Sequence, residues 1–423
     1  MATASSLLLH DVRLWTEPDT PVDVICESGR ITAVAPCDPA GHRFAYQPPF
    51  AQESDHDGQT RIENGRGLLA LPAFVDAHAH VDKTLWGTPW VPHSAGPLLT
   101  DRIANERARR TEFGLPSTDN AESLIRQMIS AGTTALRTHT DVDPGIGLAG
   151  IEVVAAAAER LTGLIDIQQV AFPQGGVIRS PGTLDLLAAA VQAGAAVIGG
   201  IDPAGVDNDP IAQLDALFGL AAEHGAALDF HLHDEGTLGL WETYRIIERT
   251  VVFGLQGRVA ISHADAASAA AGPDRDQLAD ALAEAGVALV TAAVYDVAVP
   301  SLPYFAERGV TVACGNDGIR DLWGPYGTGD MLERAMHVAY RNGLRRDDEI
   351  ELAIEAATTG GARVLGLPDR RLEVGGPADL VLVDALTAAH AVAARPSREL
   401  VVHAGSVVAR SGAVQTELES VHR

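Results

Sequence analysis

The stretch Leu71-Pro-Ala-Phe-Val-Asp-Ala-His-Ala-His-Val-Asp-Lys83 joins a short apolar run to two histidines that are one residue apart. Side chains two positions apart on a β-strand point to the same face, so we expect His78 and His80 to lie side by side. Two imidazoles on one face make half of a divalent-metal site. Paired histidines also occur on protein surfaces by chance, so on their own these residues leave both interpretations open.

Around this stretch, short apolar runs alternate with alanine-rich helical stretches. The alternation is typical of successive βα units and predicts an α/β fold, a (β/α)8 TIM barrel. Helices are expected where such stretches close near a glycine, as at 184–194, 211–225 and 276–286. The eight predicted strands are 73–77, 134–138, 165–172, 196–201, 227–231, 259–263, 287–292 and 311–317.

Polar side chains follow several of these strands, at the ends where a barrel carries its active site. His231 ends the fifth strand, His263 the sixth and Asp317 the eighth. Three histidines and one carboxylate, with one position left for water, suit a catalytic zinc or ferrous ion. The recurrence of these residue types at strand ends therefore favours a metal site at the histidine pair.

A bound divalent ion would lower the pKa of water from about 15.7 towards about 7. Asp317 can ligate the ion and accept the proton of that water, and His263 can polarise the substrate or hold the water. Each residue also has a structural interpretation, His263 as a strand-end histidine and Asp317 as a helix N-cap in the turn-like segment 315–318. His139 and Asp141, at the end of the second strand, are expected to be structural or to support the site.

The two ends of the chain share a different texture, with short β-prone runs broken by turn residues. We expect residues 1–70 and 371–423 to form one composite β-sandwich domain, with the barrel domain spanning 71–370. The chain shows no repeat of short fixed period, which argues against a solenoid.

Composition limits the function classes. The 423 residues carry a formal net charge of −25, which disfavours nucleic acid as a partner and a polyanion as a substrate. The sequence has no apolar run of about 18 residues and no N-terminal signal pattern, so neither a membrane partner nor export is expected. Three scattered cysteines, Cys26, Cys37 and Cys314, favour a reducing cytoplasm.

Longer motifs resemble a known family. The order His-x-His, His, His, Asp over eight βα units resembles the amidohydrolase superfamily, and the match is closer to its cytosine deaminase branch, which includes the N-isopropylammelide amidohydrolases of triazine degradation. The resemblance covers nearly the whole chain. Its motifs are 71–83, Arg137-Thr-His-Thr-Asp-Val142, Gln169-Val-Ala-Phe-Pro-Gln174, Ile261-Ser-His263, 315–332 and Gly376-Pro-Ala-Asp-Leu-Val-Leu382.

The resemblance implies a role for each matching residue. The implied metal ligands are His78, His80, His231 and Asp317, with His263 beside them. Gln174 would recognise a ring carbonyl and a ring nitrogen, because a side-chain amide both donates and accepts hydrogen bonds. Its structural alternative is a loop glutamine that bonds its own backbone.

The lysine content bears on the number of metal ions. The resemblance implies that binuclear members bridge two ions with a carboxylated lysine on the fourth strand. Lys83 is the only lysine of the chain, and it lies beside the first strand. We therefore expect one divalent ion per chain, Zn2+ or Fe2+. Lys83 itself can contact a substrate carboxylate or carbonyl, or form an ion pair with Asp82.

Two positions depart from the family pattern. The branch usually carries glutamate three residues after the histidine of the fifth strand, where it shuttles a proton. That position is Asp234 here, and Glu235 follows it, so either residue is a candidate shuttle. The acid that often follows the metal-binding aspartate is replaced by Gly318. Both departures weaken cytosine as the substrate without weakening hydrolysis.

Aromatic residues are expected to hold a flat ring. Trp86 in the loop after the first strand and Trp323 with Tyr326 after the eighth can wall such a ring from both sides. The alternative is that they are core residues beneath the loops.

We therefore predict a metal-dependent hydrolase, a deaminase of a pyrimidine- or triazine-like heterocycle. The alternative is an amidohydrolase that cleaves a cyclic amide or an N-alkyl C–N bond. A remote alternative is a non-catalytic assembly protein, which would be expected to have lost ligands. A small heterocyclic substrate and a homo-oligomeric state complete the expectation.

Overall fold

The computed structural model describes residues 6–37 and 60–415. The remaining parts of the predicted terminal domain, 1–5, 38–59 and 416–423, lie outside the described residues. The described strands are β1 (Ser6–Leu14), β2 (Glu17–Glu27), β3 (Arg30–Pro36), β4 (Arg61–Pro72), β5 (Phe74–His80), β6 (Thr133–Asp141), β7 (Asp166–Phe172), β8 (Val197–Ile201), β9 (Ala227–Leu232), β10 (Val259–His263), β11 (Val287–Thr291), β12 (Val312–Cys314), β13 (Asp317–Gly318), β14 (Leu380–Val383), β15 (Arg398–His403), β16 (Ser406–Arg410) and β17 (Ala413–Val414).

Helices separate the strands of the middle segment. They are α1 (Leu99–Arg109), α2 (Thr118–Ser130), α3 (Ala149–Arg160), α4 (Thr183–Gln192), α5 (Pro210–His224), α6 (Gly236–Val252), α7 (Asp265–Ala269), α8 (Gly272–Ala285), α9 (Leu302–Glu307), α10 (Met331–Arg341), α11 (Asp347–Ala357), α12 (Thr359–Leu365) and α13 (Ala388–Ala394). The glycines expected to end α5 and α8 do so, with Gly225 and Gly286 in the left-handed conformation at φ 64° and 61°. None of the helices in the described ranges is long and apolar enough to cross a bilayer.

The middle strands form a curled parallel sheet in the order β12-β11-β10-β9-β8-β7-β6-β5-β13. Its outermost strands, β12 and β13, are the two halves of the predicted eighth strand, interrupted at Gly315 and Asn316. The first half pairs with β11, and the second pairs with β5 through Asp317 and Ala79. The fold is therefore the expected TIM-barrel-like α/β architecture, and the interruption brings Asp317 beside the two histidines of β5.

Gly315 makes this interruption possible. A Cβ atom at this position would lie 2.4 Å from the backbone oxygen of His78 and 2.5 Å from its nitrogen. Only glycine therefore lets the eighth strand approach β5 so closely.

Strands from both ends of the chain build one further sheet, in the order β17-β16-β15-β14-β4-β1-β2-β3. Its two parts join where β4 and β14 pair antiparallel, with Pro72 opposite Leu380. One apolar cluster contains side chains from both parts, among them Leu9, Val24, Leu382 and Val402. That this sheet folds into a two-layer sandwich, that the domains divide at 70 and 371, and that the chain forms a homo-oligomer all stay predictions.

Asp379 connects this sheet to the barrel. Its carboxylate pairs with Arg370, lies 2.7 Å from His403 Nδ1 and accepts the amide of Ala404 at 3.0 Å, and its backbone oxygen accepts the amide of Ala73 at 3.1 Å. Burial alone would raise the pKa of Asp379, but the hydrogen bond from His403 and the charge of Arg370 outweigh it and lower the pKa below its ordinary value.

The Asp379→Asn variant is therefore expected to lose about 2 kcal/mol of unfolding free energy at neutral pH. Because the folded-state pKa of Asp379 is lowered, the stabilisation by its charged carboxylate is fully present above about pH 5. This stabilisation is lost as the pH falls through the folded-state pKa, which lies below about 4. Urea unfolding of both proteins between pH 3 and 7 measures the difference. An equal difference at every pH would contradict the assigned charge role.

Candidate active site

Four side chains meet where β5, β9 and the divided eighth strand end. Asp317 Oδ1 lies 3.6 Å from His78 Nε2 and 3.4 Å from His80 Nε2, and His80 Nε2 lies 3.3 Å from His231 Nε2. His78, His80 and Asp317 form one of the groups of described residues that could hold a metal ion. Three of the four predicted ligands thus form one such group, and His231 adjoins it through its contact with His80.

The spacing of these atoms fits a tetrahedral ion. With metal bonds of about 2.0–2.2 Å to nitrogen and oxygen, neighbouring ligand atoms stand roughly 3.3–3.5 Å apart. Two of the distances, 3.3 and 3.4 Å, fall in that range, and the third, 3.6 Å between His78 Nε2 and Asp317 Oδ1, lies just above it. His78 Nε2 is buried and has no hydrogen-bond partner within the described ranges, as expected of an atom that binds a metal.

The opposite ring nitrogens are held by the protein. His80 Nδ1 donates to the backbone oxygen of His139 at 3.0 Å. His78 Nδ1 lies 2.8 Å from Ser262 Oγ, and the Ser262 hydroxyl in turn donates to Asp229 at 2.7 Å. A proton on Nδ1 leaves the lone pair of each ring on Nε2, so these contacts orient both imidazoles as ligands.

The surroundings hold His80, His231 and Asp317 in the protonation states that a metal requires. Burial, with the charge of Lys83, lowers the pKa of His80 to about 4, and burial with the neighbouring imidazoles lowers that of His231 well below its ordinary value. Burial would raise the pKa of Asp317, but its contacts with the His78 and His80 rings outweigh burial and hold that pKa well below the usual range. Neutral imidazoles and an ionised carboxylate are the ligand forms.

His139 stands behind the cluster. Its ring is fully buried and stacks on His78 with a centroid distance of 4.0 Å. It forms a second possible metal group with His78 and His231, but it is not among the described residues that line the cavity, whereas His80, His231 and Asp317 are.

Two residues of the site have an unusual backbone conformation. His263 and Asp317 adopt positive φ angles of 66° and 62°, although neither is glycine. Such conformations cost about 1–3 kcal/mol and persist where the surrounding structure demands them. These backbone conformations, at the end of β10 and in β13, direct the side chains of His263 and Asp317 into the same cavity.

This cavity measures about 1120 Å3. Of the residues predicted to contact the substrate, Lys83, Gln174 and Trp323 line it. Trp86 is not among the described lining residues: it packs against the barrel core, with the guanidinium of Arg320 5.3 Å from its ring centroid. The structural alternative weighed for the aromatics thus fits Trp86, and Trp323 stands on the cavity wall.

Lys83 and Gln174 form one network on that wall. Lys83 Nζ donates to Asp141 Oδ1 at 3.0 Å and to Gln174 Oε1 at 2.5 Å. Gln174 Nε2 donates to Glu106 Oε2 at 3.2 Å, and Glu106 also accepts from the Trp323 indole. The oxygen of Gln174 therefore faces a cation and its nitrogen faces a carboxylate, which defines the orientation of the amide.

Burial would lower the pKa of Lys83, but the charges of Asp141 and Glu106 outweigh it, so the pKa is raised and the lysine stays charged. Carboxylation of a lysine requires its neutral amine, so a charged lysine cannot form the carboxylated group that bridges two metal ions. That the barrel holds a single ion stays a prediction.

The residues after β9 separate into two groups. The carboxylate of Asp234 accepts the amide of Gly205 at 2.8 Å and is not among the described cavity-lining residues, whereas Glu235 and His233 line the cavity. His233 Nδ1 lies 2.7 Å from Asp202 Oδ2. Burial would lower the pKa of His233, but the Asp202 carboxylate outweighs it and raises the pKa.

The second departure from the family pattern also has a structural counterpart. A Cβ atom on Gly318 would lie 2.2 Å from Asp321 Oδ2, so the carboxylate of Asp321 occupies the space beside Gly318. Asp321 lines the cavity, and burial raises its pKa to about 6.

Sequence reasoning missed Glu106, Asp202, Asp321 and the contact between His233 and Asp202. Glu106 had a signal, an acid on the buried side of α1, but that helix was not predicted. The other residues are loop residues after β8, β9 and the divided eighth strand, and the sequence carries no signal for where such side chains point.

Comparisons with known proteins bear on this site. A model of the amidohydrolase family, Amidohydro_3, matches residues 114–409. The chain belongs to the amidohydrolase family. The N-isopropylammelide isopropyl amidohydrolase of Pseudomonas sp. is 33% identical over 373 residues, which cover 85% of this chain and 90% of that protein. This amidohydrolase is therefore a hydrolase of carbon–nitrogen bonds other than peptide bonds.

Two crystal structures are similar. That of N-isopropylammelide isopropylaminohydrolase from Burkholderia multivorans has 44% sequence identity and a TM-score of 0.89, covering 97% of this chain and all of that chain (100%). That of 5-methylcytosine deaminase from Klebsiella pneumoniae has 23% identity and a TM-score of 0.78, covering 95% of this chain and 97% of that one, and shows the fold alone. The resemblance drawn from the motifs is confirmed.

Proposed function

We propose that this amidohydrolase removes an amino or alkylamino substituent from a triazine- or pyrimidine-like ring by hydrolysis, leaving a ring carbonyl and a free amine. The observation that carries the proposal is that one and the same cavity is lined by His80, His231 and Asp317 and by the Lys83–Gln174 pair. One part can hold a metal ion, and the other presents a cation and an amide to the edge of a ring.

The relatives favour an alkylamine as the leaving group. Both N-isopropylammelide hydrolases match most or all of their length, and the Burkholderia enzyme does so at 44% identity. The cavity of about 1120 Å3 is also larger than a bare six-membered ring requires. We therefore propose an N-alkylamino triazine as the first substrate to test.

One divalent ion, Zn2+ or Fe2+, would be held by His78, His80, His231 and Asp317. When bound, such an ion lowers the pKa of water and polarises the substrate. Asp317 Oδ1 lies at the centre of the cluster as the ligand atom, and the other oxygen of the same carboxylate takes the proton from the attacking water. His263, in contact with the rings of His78 and His231 at 5.0 Å between centroids, orients that water.

A proton must also reach the leaving nitrogen. Asp234 is engaged with Gly205 outside the cavity, so of the two predicted shuttles Glu235 is the better placed. His233 is better placed still, because Asp202 holds its Nδ1 and favours the charged ring, while its side chain lines the cavity. We assign the transfer from His233 Nε2 to the amine, with Glu235 at the cavity entrance.

Ring recognition falls to the network on the cavity wall. Gln174 presents its remaining amide hydrogen and oxygen lone pair to a cyclic amide edge, and Lys83 offers its charge to a ring carbonyl. Trp323 supplies an aromatic face, and Trp86 anchors the loop after β5, which begins near Lys83, to the barrel core.

The His233→Gln variant is expected to lower kcat by roughly 10²- to 10⁴-fold, because the leaving amine loses its acid. Asp234→Asn is the matched control, since asparagine still accepts the Gly205 amide, and it should retain near-normal kcat. Glu235→Gln tests the remaining candidate. Steady-state kinetics of the three variants decide the assignment, and a large loss in Asp234→Asn with a normal His233→Gln would return the role to Asp234.

The function itself is tested with a panel of aminotriazines, N-alkylaminotriazines, aminopyrimidines and cyclic amides, with ammonia and alkylamine release measured separately. We expect isopropylamine from N-isopropylammelide at the highest kcat/KM. Release of ammonia alone would favour a deaminase, and ring opening of a cyclic amide would favour the alternative hydrolase. Absence of reaction across the whole panel, with metal-loaded enzyme, would contradict the proposal.

We also propose a cytoplasmic enzyme. The three cysteines, Cys26, Cys37 and Cys314, are all unpaired, which suits a reducing compartment.

A further inference from the structure

We infer that the terminal sheet carries a second metal site, for a zinc-like divalent ion, formed by His10, Asp23 and Cys37. The three residues lie on β1, on β2 and directly after β3. They form a group of described residues whose ligand atoms all lie within 4.8 Å of one another. The inference does not depend on the proposed activity, because no residue of this group lines the active-site cavity among the described residues.

Local backbone structure brings the three side chains together. An irregularity in the pairing of β1 with β2 falls between Leu9 and Val12, and Asp11 within it has φ 56°. Such bulges re-aim side chains, here that of His10. The amide of Cys37 donates to Pro21 at 3.1 Å, which holds the thiol beside β2.

The contacts converge on one point and do not form a relay. His10 Nδ1 lies 2.8 Å from Asp23 Oδ1 and 3.6 Å from Cys37 Sγ. A nucleophilic triad needs both ring nitrogens, one towards the thiol and one towards the acid. Both contacts here use Nδ1, so the nitrogen, the oxygen and the sulfur are mutual neighbours.

Such an arrangement is one face of a coordination tetrahedron. With zinc bonds of about 2.3 Å to sulfur and 2.0–2.1 Å to nitrogen, a sulfur and a nitrogen ligand stand roughly 3.6 Å apart. The measured separation of Cys37 Sγ and His10 Nδ1 is 3.6 Å. The nitrogen–oxygen separation, now a hydrogen bond of 2.8 Å, must widen by roughly half an ångström.

The charge around the site favours a cation. The amide of Asp11 donates to Asp23 Oδ1 at 3.0 Å, so a second acidic residue adjoins the site. A divalent ion would replace the thiol proton and neutralise the two acids. His10 and Asp23 are 26% and 18% exposed, so an ion can reach them.

The test uses the full-length protein with its barrel site filled. It is titrated with Co2+, because a cobalt–thiolate bond gives a charge-transfer absorption that nitrogen and oxygen ligands do not. The ligands assigned in the barrel include no sulfur, so the band reports on Cys37 alone. We expect one further ion per chain and a thiolate band that saturates with it.

Cys37→Ser and His10→Ala should each remove the band and the additional ion and leave kcat/KM unchanged. Cys26→Ala, a cysteine of the same sheet with its side chain in the apolar core, is the matched control and should keep both. The inference is overturned if the wild-type protein binds one ion without a thiolate band, or if the band survives in Cys37→Ser. The wild-type titration decides the matter even if a variant fails to fold.

Discussion

The Asp317→Asn variant is expected to lose at least roughly 10³-fold in kcat/KM while it keeps its fold. Asp317 is the point at which the cluster meets, with its Oδ1 3.4 Å from His80 Nε2 and 3.6 Å from His78 Nε2. The substitution removes both the negative ligand and the proton acceptor for water. Steady-state kinetics, metal content and thermal unfolding measured on one preparation separate these losses from misfolding.

Asp209→Asn is the matched control for this substitution. Asp209 is the N-cap of α5, where its side chain accepts the amide of Ala212, and asparagine caps a helix about as well as aspartate. This variant should retain full activity. If Asp317→Asn kept more than a tenth of wild-type kcat/KM, Asp317 would not be the catalytic base.

The Asp229→Ala variant is expected to lose about 3–5 kcal/mol of unfolding free energy. Asp229 Oδ2 lies 2.8 Å from Arg137 Nη1, and the two side chains are 0% and 2% exposed. Removing the carboxylate leaves the guanidinium charge buried without its partner. The Ser262 hydroxyl, which supports His78, loses its acceptor in the same step. Chemical denaturation measures the stability.

Ser262→Ala separates the two effects of that substitution. It removes the Ser262 hydroxyl from both His78 Nδ1 and Asp229 Oδ1 but leaves the Arg137–Asp229 pair intact. We therefore expect a metal affinity that is lower by about 10- to 100-fold, with a smaller loss of stability than in Asp229→Ala. If Asp229→Ala were as stable as the wild-type protein, the buried pair would contribute nothing to stability. If Ser262→Ala bound metal as tightly as the wild-type protein, Ser262 would not support His78 as a ligand.

Local patterns predicted the metal cluster. The period of two along β5 placed His78 and His80 on one face, and the rule that barrel sites lie at strand ends added His231, His263 and Asp317. These inferences need only the strand type and its direction. The family resemblance added Gln174, which the structure places on the cavity wall.

The directions of the side chains after β9 could not be predicted in the same way. Counting along the chain pointed to Asp234 or Glu235, but the direction of a loop side chain depends on partners from other strands. Asp202, after β8, holds His233, and Gly205 in the same loop holds Asp234. Similarly, Asp321 fills the space beside Gly318 because the chain turns back after β13. Such long-range pairs leave no periodic signal.

The division of the eighth strand illustrates the same limit. The apolar run at 311–317 predicted one strand, and the structure has β12 and β13 with Gly315 and Asn316 between them. The cause is the close approach of Gly315 to His78, a contact with a residue more than two hundred positions earlier in the chain. The interruption matters for function because it places Asp317 beside Ala79 and the histidines of β5.

We propose that one ion binds inside the barrel to His78, His80, His231 and Asp317. Anomalous diffraction at the zinc and iron absorption edges, from crystals of enzyme purified without added metal, would locate this ion. We expect a single peak in the barrel, about 2.0–2.2 Å from the three Nε2 atoms and an Asp317 oxygen. Two peaks in the barrel, or one peak coordinated by His139 in place of His80, would contradict it.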